Sequence, residues 1–197
     1  MDINTRYSYP LFVNSYICTK MSVKLIIIAA VSLDGVIGID NEIPWRIPED
    51  FQHFRKTTMG NMLLVGYNTY LSLPPKAFEG RTYLVLNDGN PISDAHSNVY
   101  QFKKLDTIFG LLNDELTTVG KVYVAGGAMV YDTLIDYCDE AIITWVDKLI
   151  PYGNKKFPID KLFTNFEEIS DEGWQTSKTE IRYKIVHYKN NFKRISV

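Results

Sequence analysis

Residues 44–54, with the sequence PWRIPEDFQHF, place an acid where a helix is expected to be apolar. Pro48 fits the first position of a helix, and a rotation of about 100° per residue puts Asp50 and Phe54 on its apolar face. A carboxylate that loses its hydration there has a raised pKa and can hold a proton near neutral pH. The helix alone leaves an equal alternative, in which Asp50 only complements the helix dipole from a half-exposed site.

The composition is that of one ordinary globular domain. The chain has 197 residues, 46% of them hydrophobic, which is enough for a full core, and a formal net charge of −2 argues against nucleic acid as the main partner. Two cysteines, Cys18 and Cys138, and three scattered histidines exclude a disulfide scaffold and argue against a metal site. The longest apolar run, 25–31, is too short to span a bilayer. We expect Cys138 to be a buried thiol and the protein to be cytoplasmic, as a monomer or a weak homodimer.

Apolar runs alternate with helical patterns along most of the chain. Residues 32–45, rich in Asp, Gly and Pro, are predicted to be a long functional loop rather than an element, and the C-terminal third has few helix signals. The alternation predicts an α/β fold with a mainly parallel sheet, helices on both faces and an antiparallel C-terminal edge. The predicted strands are 23–31, 62–65, 82–86, 99–102, 122–125 and 141–146, with an antiparallel pair at 166–169 and 181–187. The predicted helices are 48–58, 68–72, 105–112 and 128–137.

Glycines follow two of the predicted strands. Gly66 and the pair Gly126-Gly127 allow backbone amides to approach a phosphate closely, and the helix starts that follow them favour negative charge. Two ordinary tight turns without a ligand are the alternative. Because ligands of such sheets bind at the carboxyl ends of the strands, we expect these turns and the loop 32–45 to converge on one cleft.

Three more side chains could belong to a functional site, but the sequence pattern leaves their roles undecided. Arg81 precedes a predicted strand, where it either clamps a substrate carboxylate or is a solvated charge at the strand margin. Thr144 lies inside an apolar strand, and its hydroxyl needs a partner, which is a ligand, a buried acid or the backbone. Trp45 is either the anchor of a lid or part of the core.

Taken together and in order, these residues resemble the dihydrofolate reductase family. The resemblance covers about residues 21–188, so we expect a domain at 21–190, an N-terminal extension at 1–20 and a tail at 191–197. The extension is a mobile tail, an added arm or sequence upstream of the natural start, and the sequence does not separate these options. The most specific part of the match is Asp34-Gly-Val-Ile-Gly38, Asn41, Pro44-Trp45, Asp50 and Phe54. The later landmarks are Gly66, Thr69, Gly80-Arg81, Gly126-Gly127 with Tyr131, and Thr144.

The resemblance implies a three-layer fold on a sheet of about eight strands, and the reduction of 7,8-dihydrofolate to tetrahydrofolate with NADPH. It implies that Asp50 binds the pterin and helps to deliver a proton to N5, that Thr144 hydrogen-bonds this carboxylate, and that Trp45 helps to hold an ordered water. It also implies that Arg81 clamps the glutamate α-carboxylate of folate. The pterin and benzoyl site would be lined by Ile28, Phe54 and Leu73.

A site for the nicotinamide dinucleotide follows from the same resemblance. The nicotinamide would lie against the loop 32–43, and the pair Gly126-Gly127, joined in the family by a rare cis peptide, would meet the cofactor near its pyrophosphate. Thr69 would contact the phosphates. The implied cofactor-binding positions are Ala30, Ile37, Gly38, Asn41, Gly66, Asn68, Thr69, Asn87, Gly126, Gly127, Ala128, Met129, Val130 and Tyr131.

The chain departs from the family at the adenosine end of this site. Neutral or acidic residues stand where basic or hydroxyl residues are common, namely at Tyr67, Asn87-Asp88 and Met129. Lys103 or Lys104 lies in a segment that is able to compensate. We therefore hypothesise a weakened preference for NADPH over NADH, with NADH tolerated.

Two other functions are compatible with the sequence. One is a related reductase of the same fold that acts on a pyrimidine intermediate of flavin synthesis, with which the run 32–35 is compatible. The other is a non-catalytic binding or assembly protein that retains the fold. The run Pro44-Trp45, Asp50 and Phe54, together with Arg81, favours the folate enzyme over the first. Asp50, Thr144, Arg81 and both glycine turns in one chain favour it over the second.

Overall fold

The structure is a computed structural model that describes residues 23–87, 89, 91–92, 96–112 and 120–192. Predictions for the extension 1–20, for Cys18, for Asp88 and for most of the tail 191–197 lie outside the described residues. The described strands are β1 (Lys24–Ser32), β2 (Val36–Gly38), β3 (Met62–Gly66), β4 (Thr82–Leu86), β5 (Val99–Phe102), β6 (Lys121–Val124), β7 (Glu140–Val146), β8 (Lys155–Lys156), β9 (Phe166–Asp171), β10 (Gln175–Thr176) and β11 (Arg182–Asn190). The described helices are α1 (Pro48–Thr58), α2 (Tyr67–Ser72), α3 (Leu105–Leu112), α4 (Ala128–Leu134) and α5 (Ile159–Asn165), with 3₁₀ turns at Pro75–Phe78 and Ile135–Tyr137.

The main sheet has the strand order β10-β11-β7-β1-β6-β3-β4-β5, and β9 also pairs with β11. Every pairing from β7 to β5 is parallel. The pairings of β11 with β7, β9 and β10 are antiparallel. The prediction of a mainly parallel sheet with an antiparallel C-terminal edge is therefore confirmed.

The central strand β1 separates two apolar layers, because alternate side chains of a strand point to opposite faces. Leu25 and Ile27 pack on the side of α3, α4 and α5, together with the buried Cys138. Ile26 and Ile28 pack on the side of α1 and α2. The helices thus cover both faces of the sheet, as the sequence predicted for a three-layer α/β fold.

Inside the predicted loop 32–45 the structure contains strand β2, so the prediction of a loop without an element was wrong there. Val36 and Gly38 of β2 pair with Lys156 and Lys155 of β8. Asn154 supports this two-stranded sheet, because its Nδ2 donates to Asp40 Oδ1 at 2.7 Å. A strand of three residues has too few alternations to give a sequence signal, and its partner is more than a hundred residues away.

Helix α5 was missed in the C-terminal third. It follows Pro158, it has only seven residues, and its Leu162 is fully buried against the α4 side of the sheet. A helix this short shows about two turns of the apolar period, which is below what a periodicity argument resolves. The helix predicted at 128–137 also ends earlier, at Leu134, and continues as the 3₁₀ turn Ile135–Tyr137.

Candidate active site

Asp50 and Thr144 are joined across the interior. Pro48 occupies the first position of α1, and Asp50 lies in its first turn, half-buried. Thr144, on the central part of β7, is only 2% exposed, and its Oγ1 donates a hydrogen bond to Asp50 Oδ1 at 2.6 Å. Of the three partners left open for Thr144, the structure shows the buried acid.

The surroundings of Asp50 favour its protonated form. Loss of hydration raises the pKa of this carboxyl above 3.8, while the hydrogen bond from Thr144 acts in the opposite direction. In the described part of the chain no Lys, Arg or His nitrogen lies within 4.0 Å of the carboxylate. Burial is therefore the dominant influence, and this acid can hold a proton at a higher pH than a solvated Asp.

Apolar side chains form the walls next to Asp50. Ile28 and Trp45 are buried in the apolar cluster on the α1 side of the sheet, and Phe54 and Leu73 pack against it. Phe51 follows Asp50 directly and is 51% exposed, although it lies on the apolar face of α1. A large exposed aromatic beside a half-buried acid indicates an open recess, and we add Phe51 to the candidate site. The apolar spacing of α1 contains a signal for this residue, since Phe51 shares one helix face with Asp50 and Phe54.

Arg81 is buried rather than solvated at the strand margin. Only 6% of it is exposed, and its Nε donates to Thr58 Oγ1 at 2.8 Å. Nη1 donates to the carbonyls of Ala77 and Glu79, and Nη2 donates to the carbonyl of Arg55.

These contacts fix the guanidinium close to the α1 face that carries Asp50. Its central carbon lies 5.8 Å from the centre of the Phe54 ring, one helical turn beyond Asp50. A guanidinium has five N–H donors, and four of its contacts go to Thr58 and to three backbone carbonyls of described residues. Thr58, which the sequence reasoning did not assign to the site, is fully buried and is the only side-chain acceptor among these contacts.

The two glycine turns meet at the carboxyl ends of β3 and β6. The Gly66 N–H donates to the Gly126 carbonyl at 2.7 Å, and the peptide between Gly126 and Gly127 is cis. A Cβ placed on Gly127 would lie 3.0 Å from Thr69 Oγ1, and one on Gly66 would lie 3.1 Å from Val130 Cγ2. The predicted convergence of these turns is confirmed, and side chains larger than hydrogen would fill the space between them.

The structure shows that several predicted cofactor residues have structural contacts instead of exposed side chains. Val130 and Tyr131 are buried in the core, and the Tyr131 hydroxyl donates to the Ile28 carbonyl at 2.8 Å. Burial raises the pKa of Tyr131, so this hydroxyl stays a donor. Asn87 is also buried, and its Oδ1 accepts from the Gly89 N–H at 3.0 Å. Only the backbone of these residues is available to a cofactor.

The remaining predicted cofactor positions lie on β1, on β2 and the turn that follows it, and at the starts of α2 and α4. Ala30 packs against the α1-side cluster and Ile37 against the opposite one. Gly38 and Asn41 belong to a tight turn closed by mutual backbone hydrogen bonds between Ile39 and Glu42, and Asn41 has a φ of 71°. Asn68 and Met129 are exposed, and Ala128 is of intermediate burial.

The base of the loop 32–45 is held by Asp34. Its Oδ1 accepts from Ser32 Oγ at 2.6 Å, and the Ile150 N–H is 3.1 Å from both carboxylate oxygens. The hydrogen bond from Ser32 lowers the pKa of Asp34, so this carboxylate stays ionised. Asp34 and Asp50 thus have opposite pKa shifts, and Asp50 is the acid suited to carry a proton.

The fold and the site together define a class. A parallel sheet with one half-buried acid, apolar walls and two glycine turns at its strand ends is the arrangement of an α/β oxidoreductase that works with a bound nucleotide. A family model described as Dihydrofolate reductase matches residues 24–190. The chain belongs to the dihydrofolate reductase family.

Individual relatives agree with this assignment. A protein named dihydrofolate reductase from Mycoplasma genitalium is 31% identical over 161 residues, which cover 74% of this chain and 94% of that protein. Another of that name, from Mycobacterium tuberculosis, is 32% identical over 166 residues, or 82% of this chain and 95% of that protein. A solved structure of dihydrofolate reductase from Enterococcus faecalis, complexed with NADP(H) and RAB-propyl, has a TM-score of 0.73 and 25% identity, and the match covers 87% of this chain and 98% of that one.

None of the described helices is long and apolar enough to cross a membrane.

Proposed function

We propose that this chain reduces 7,8-dihydrofolate to 5,6,7,8-tetrahydrofolate with NADPH, and that Asp50 is the catalytic acid. The main support for the proposal is the half-buried carboxyl of Asp50, whose Oδ1 accepts a hydrogen bond from Thr144 Oγ1 at 2.6 Å. It lies in a chain of the dihydrofolate reductase family. The reaction adds a hydride to C6 and a proton to N5 of the substrate. NADPH, when bound, supplies the hydride, so the protein needs no nucleophile of its own.

Asp50 is suited to bind the pterin and to help with the proton. One of its oxygens accepts from Thr144, which leaves the other oxygen for the exocyclic amino group and ring nitrogen of the pterin. Its raised pKa keeps a larger protonated fraction at neutral pH than a solvated Asp has. Trp45, buried beside α1, would help to hold the water through which the proton reaches N5.

Arg81 would bind the α-carboxylate of the substrate's glutamate. The guanidinium is held in place by Thr58 and backbone carbonyls, and its positive charge favours a charge-assisted contact with that carboxylate. The apolar strip between Asp50 and Arg81 would cover the pterin and benzoyl rings, and it consists of Ile28, Phe51, Phe54 and Leu73.

The residues present fit a dinucleotide. Gly66 and Gly127 form a cradle that a Cβ would fill, so backbone can approach a pyrophosphate there. The nicotinamide end has to lie near β1 and β7, because the hydride must reach a pterin held by Asp50. The adenosine end then extends across β6 and β3 toward β4 and β5. Ala30, Ile37, Gly38 and Asn41 would border the nicotinamide, and Asn68 and Thr69 the phosphates.

A spectrophotometric assay with dihydrofolate and NADPH tests the proposal. Wild type is compared with Asp50→Asn, which keeps the shape and the acceptor for Thr144 but has no titratable proton. We expect turnover at neutral pH to fall by roughly 10²–10⁴-fold in the variant. NADPH binding, followed by quenching of tryptophan fluorescence, should remain unchanged.

Two outcomes would contradict the proposal. Equal inactivity of both proteins with dihydrofolate would reject the enzyme and favour the non-catalytic alternative. Equal activity of both would reject Asp50 as the acid. The expectations of a cytoplasmic location and of a monomer or weak homodimer stay predictions.

A further inference from the structure

We propose that Met59 is a reversible oxidation site, at which a peroxide converts the thioether to a sulfoxide and thereby weakens the binding of dihydrofolate. The inference rests on the proposed function, because it uses Arg81 as the group that binds the glutamate of the substrate. It adds a modification site that the transfer of hydride and proton does not use.

The side chain of Met59 packs on the backbone next to Arg81. Met59 directly follows α1, and Gly80 lies in the segment that leads into β4. Gly80 has a φ of 65°, a backbone conformation that favours glycine. A Cβ placed on Gly80 would lie 2.5 Å from Met59 Sδ, so the sulfur occupies the space that any larger residue would need.

The guanidinium of Arg81 is bonded to the same two segments. Its Nε donates to Thr58 Oγ1 at 2.8 Å, and Thr58 directly precedes Met59. Its Nη1 donates to the Glu79 carbonyl at 3.3 Å, and Glu79 directly precedes Gly80. Displacement of the thioether from Gly80 therefore loosens the two segments that hold the guanidinium in place.

The backbone connects the two segments as well. The Gly60 N–H donates to the Gly80 carbonyl at 2.8 Å. Asn61 Nδ2 donates to the Met59 carbonyl at 2.9 Å. These bonds keep the end of α1 beside the start of β4 when the thioether moves, so we expect oxidation to shift Arg81 without unfolding this region.

Met59 is accessible to a small oxidant, because 41% of the residue is exposed. The sequence has five methionines, and the other two in the described part of the chain are Met62 and Met129. Met62 packs against the core on the side of α3 and α4. Met129 is 66% exposed and lies in the first turn of α4, so it provides a comparison at a different place.

Hydrogen peroxide transfers one oxygen atom to the sulfur of Met59. An S–O bond forms, the O–O bond breaks and water leaves, so the sulfur is oxidised and the peroxide is reduced. The sulfoxide is polar and favours water over the contact with the backbone of Gly80. Methionine sulfoxide reductases reverse the step with electrons from a thiol, and the thioether returns to its place.

The test treats the full-length chain with hydrogen peroxide and measures Met59 sulfoxide by mass spectrometry of peptides. Catalase then removes the peroxide, and dithiothreitol reverses oxidation of cysteine to sulfenic acid or disulfide. KM and kcat are measured at saturating NADPH with dihydrofolate and with dihydropteroate, a substrate without the glutamate. Met59→Leu removes the sulfur at similar volume, and Met129→Leu is the matched control. Each variant is compared with its own untreated sample.

We expect oxidation to raise the KM of the wild type for dihydrofolate about fivefold and to leave kcat within about twofold, because the affected contact lies outside the reacting atoms. The KM for dihydropteroate should stay within about twofold. Treated Met129→Leu should show the same rise as wild type, and treated Met59→Leu should show none. Methionine sulfoxide reductases should restore the KM of the oxidised wild type.

Full conversion of Met59 with an unchanged KM for dihydrofolate would overturn the inference. So would an equal rise for both substrates, because the effect would then not pass through Arg81, and so would a rise that persists in Met59→Leu. If the untreated chain does not reduce dihydrofolate, the proposed function fails. Folate binding, followed by tryptophan fluorescence, then decides the inference: oxidation should weaken it about fivefold, and an unchanged affinity would reject the site.

Discussion

The Thr144 hydroxyl lies 2.6 Å from Asp50 Oδ1, and this contact joins the middle of a buried strand to the first turn of a helix 94 positions away in the chain. The hydroxyl has one proton, and it donates that proton to the carboxylate. A hydrogen bond donated to a carboxylate favours its ionised form, so Thr144 limits the rise in pKa that burial imposes on Asp50. The strand thereby adjusts the proton affinity of the acid on the helix.

Replacing Thr144 by Val should therefore raise the pKa of Asp50 further. An acid that supplies a proton works only when protonated, so turnover falls as the pH rises through its pKa. In Thr144→Val this fall should begin at a higher pH than in wild type, and it is measured as the pH profile of kcat with dihydrofolate and NADPH. Thr144→Ser keeps the hydroxyl and should restore the wild-type profile. A profile that moves to lower pH in the valine variant would reject this role.

The buried carboxyl of Asp50 should cost stability at neutral pH. Its pKa in the folded chain lies above the value of 3.8 expected for the unfolded chain. The folded state therefore binds more protons between these two values, and the free energy of unfolding decreases as the pH rises through this window. Asn does not titrate, so Asp50→Asn should be more stable than wild type by roughly 1 kcal/mol at pH 7, and the difference should shrink toward pH 4.

Urea unfolding at several pH values measures this difference. Asp160→Asn is the matched control, because Asp160 also lies in the first turn of a helix but is exposed. That variant should lose about 0.5 kcal/mol through the helix dipole. A wild type that is more stable than Asp50→Asn at pH 8 would show that Asp50 is not held in a desolvated site.

Much of this site could be predicted because its signals are local. The apolar spacing of α1 placed Asp50 at the interior, and the glycines after two buried strands indicated where those strands end. Apolar runs and turns gave β4, β5 and α3 with their observed bounds. These elements follow from patterns of a few neighbouring residues, which is the range over which periodicity and turn chemistry act.

The rest depends on contacts between distant segments. Strand β2 exists because β8 pairs with it, and Thr58 matters because the buried guanidinium of Arg81 turns toward it. The sequence showed a threonine near the end of a helix and an arginine before a strand, 23 positions apart, with no local sign that they meet. Whether Arg81 is solvated or buried likewise depends on tertiary contacts, which the local sequence does not show.

The contact between Thr58 and Arg81 gives a prediction about substrate binding. Thr58→Val removes the acceptor of the Arg81 Nε–H without changing the side-chain shape, which leaves a buried donor without its partner and loosens the guanidinium. We expect KM for dihydrofolate to rise about tenfold with little change in kcat, since an interaction outside the reacting atoms is weakened. Thr58→Ser should restore KM.

The substrate analogue dihydropteroate, which lacks the glutamate, separates this role from a general structural one. Its KM should be the same in wild type and in Thr58→Val. Thr57→Val is the neighbouring control, because Thr57 Oγ1 faces His53 at 3.5 Å rather than Arg81. An equal rise in KM for both substrates would show that Thr58 only stabilises the helix end.

Tyr67 offers a way to strengthen the cofactor preference. It is exposed and follows Gly66, which is paired directly with Leu86. Leu86 lines a surface recess together with Lys103 and Lys104. Lys103 and Lys104 are the two lysines among the described residues that line this recess, and both are exposed. Exposed charges bind weakly, so we expect the wild-type kcat/KM ratio for NADPH over NADH to stay below about a hundred. Tyr67→Arg adds a guanidinium able to bind the phosphate through two hydrogen bonds, and should raise this ratio about tenfold by tightening NADPH alone. Steady-state kinetics with both dinucleotides measure the ratio, and Tyr67→Phe should leave it unchanged. A wild-type ratio of several hundred or more would contradict the weakened preference, since a further source of phosphate recognition would then be required.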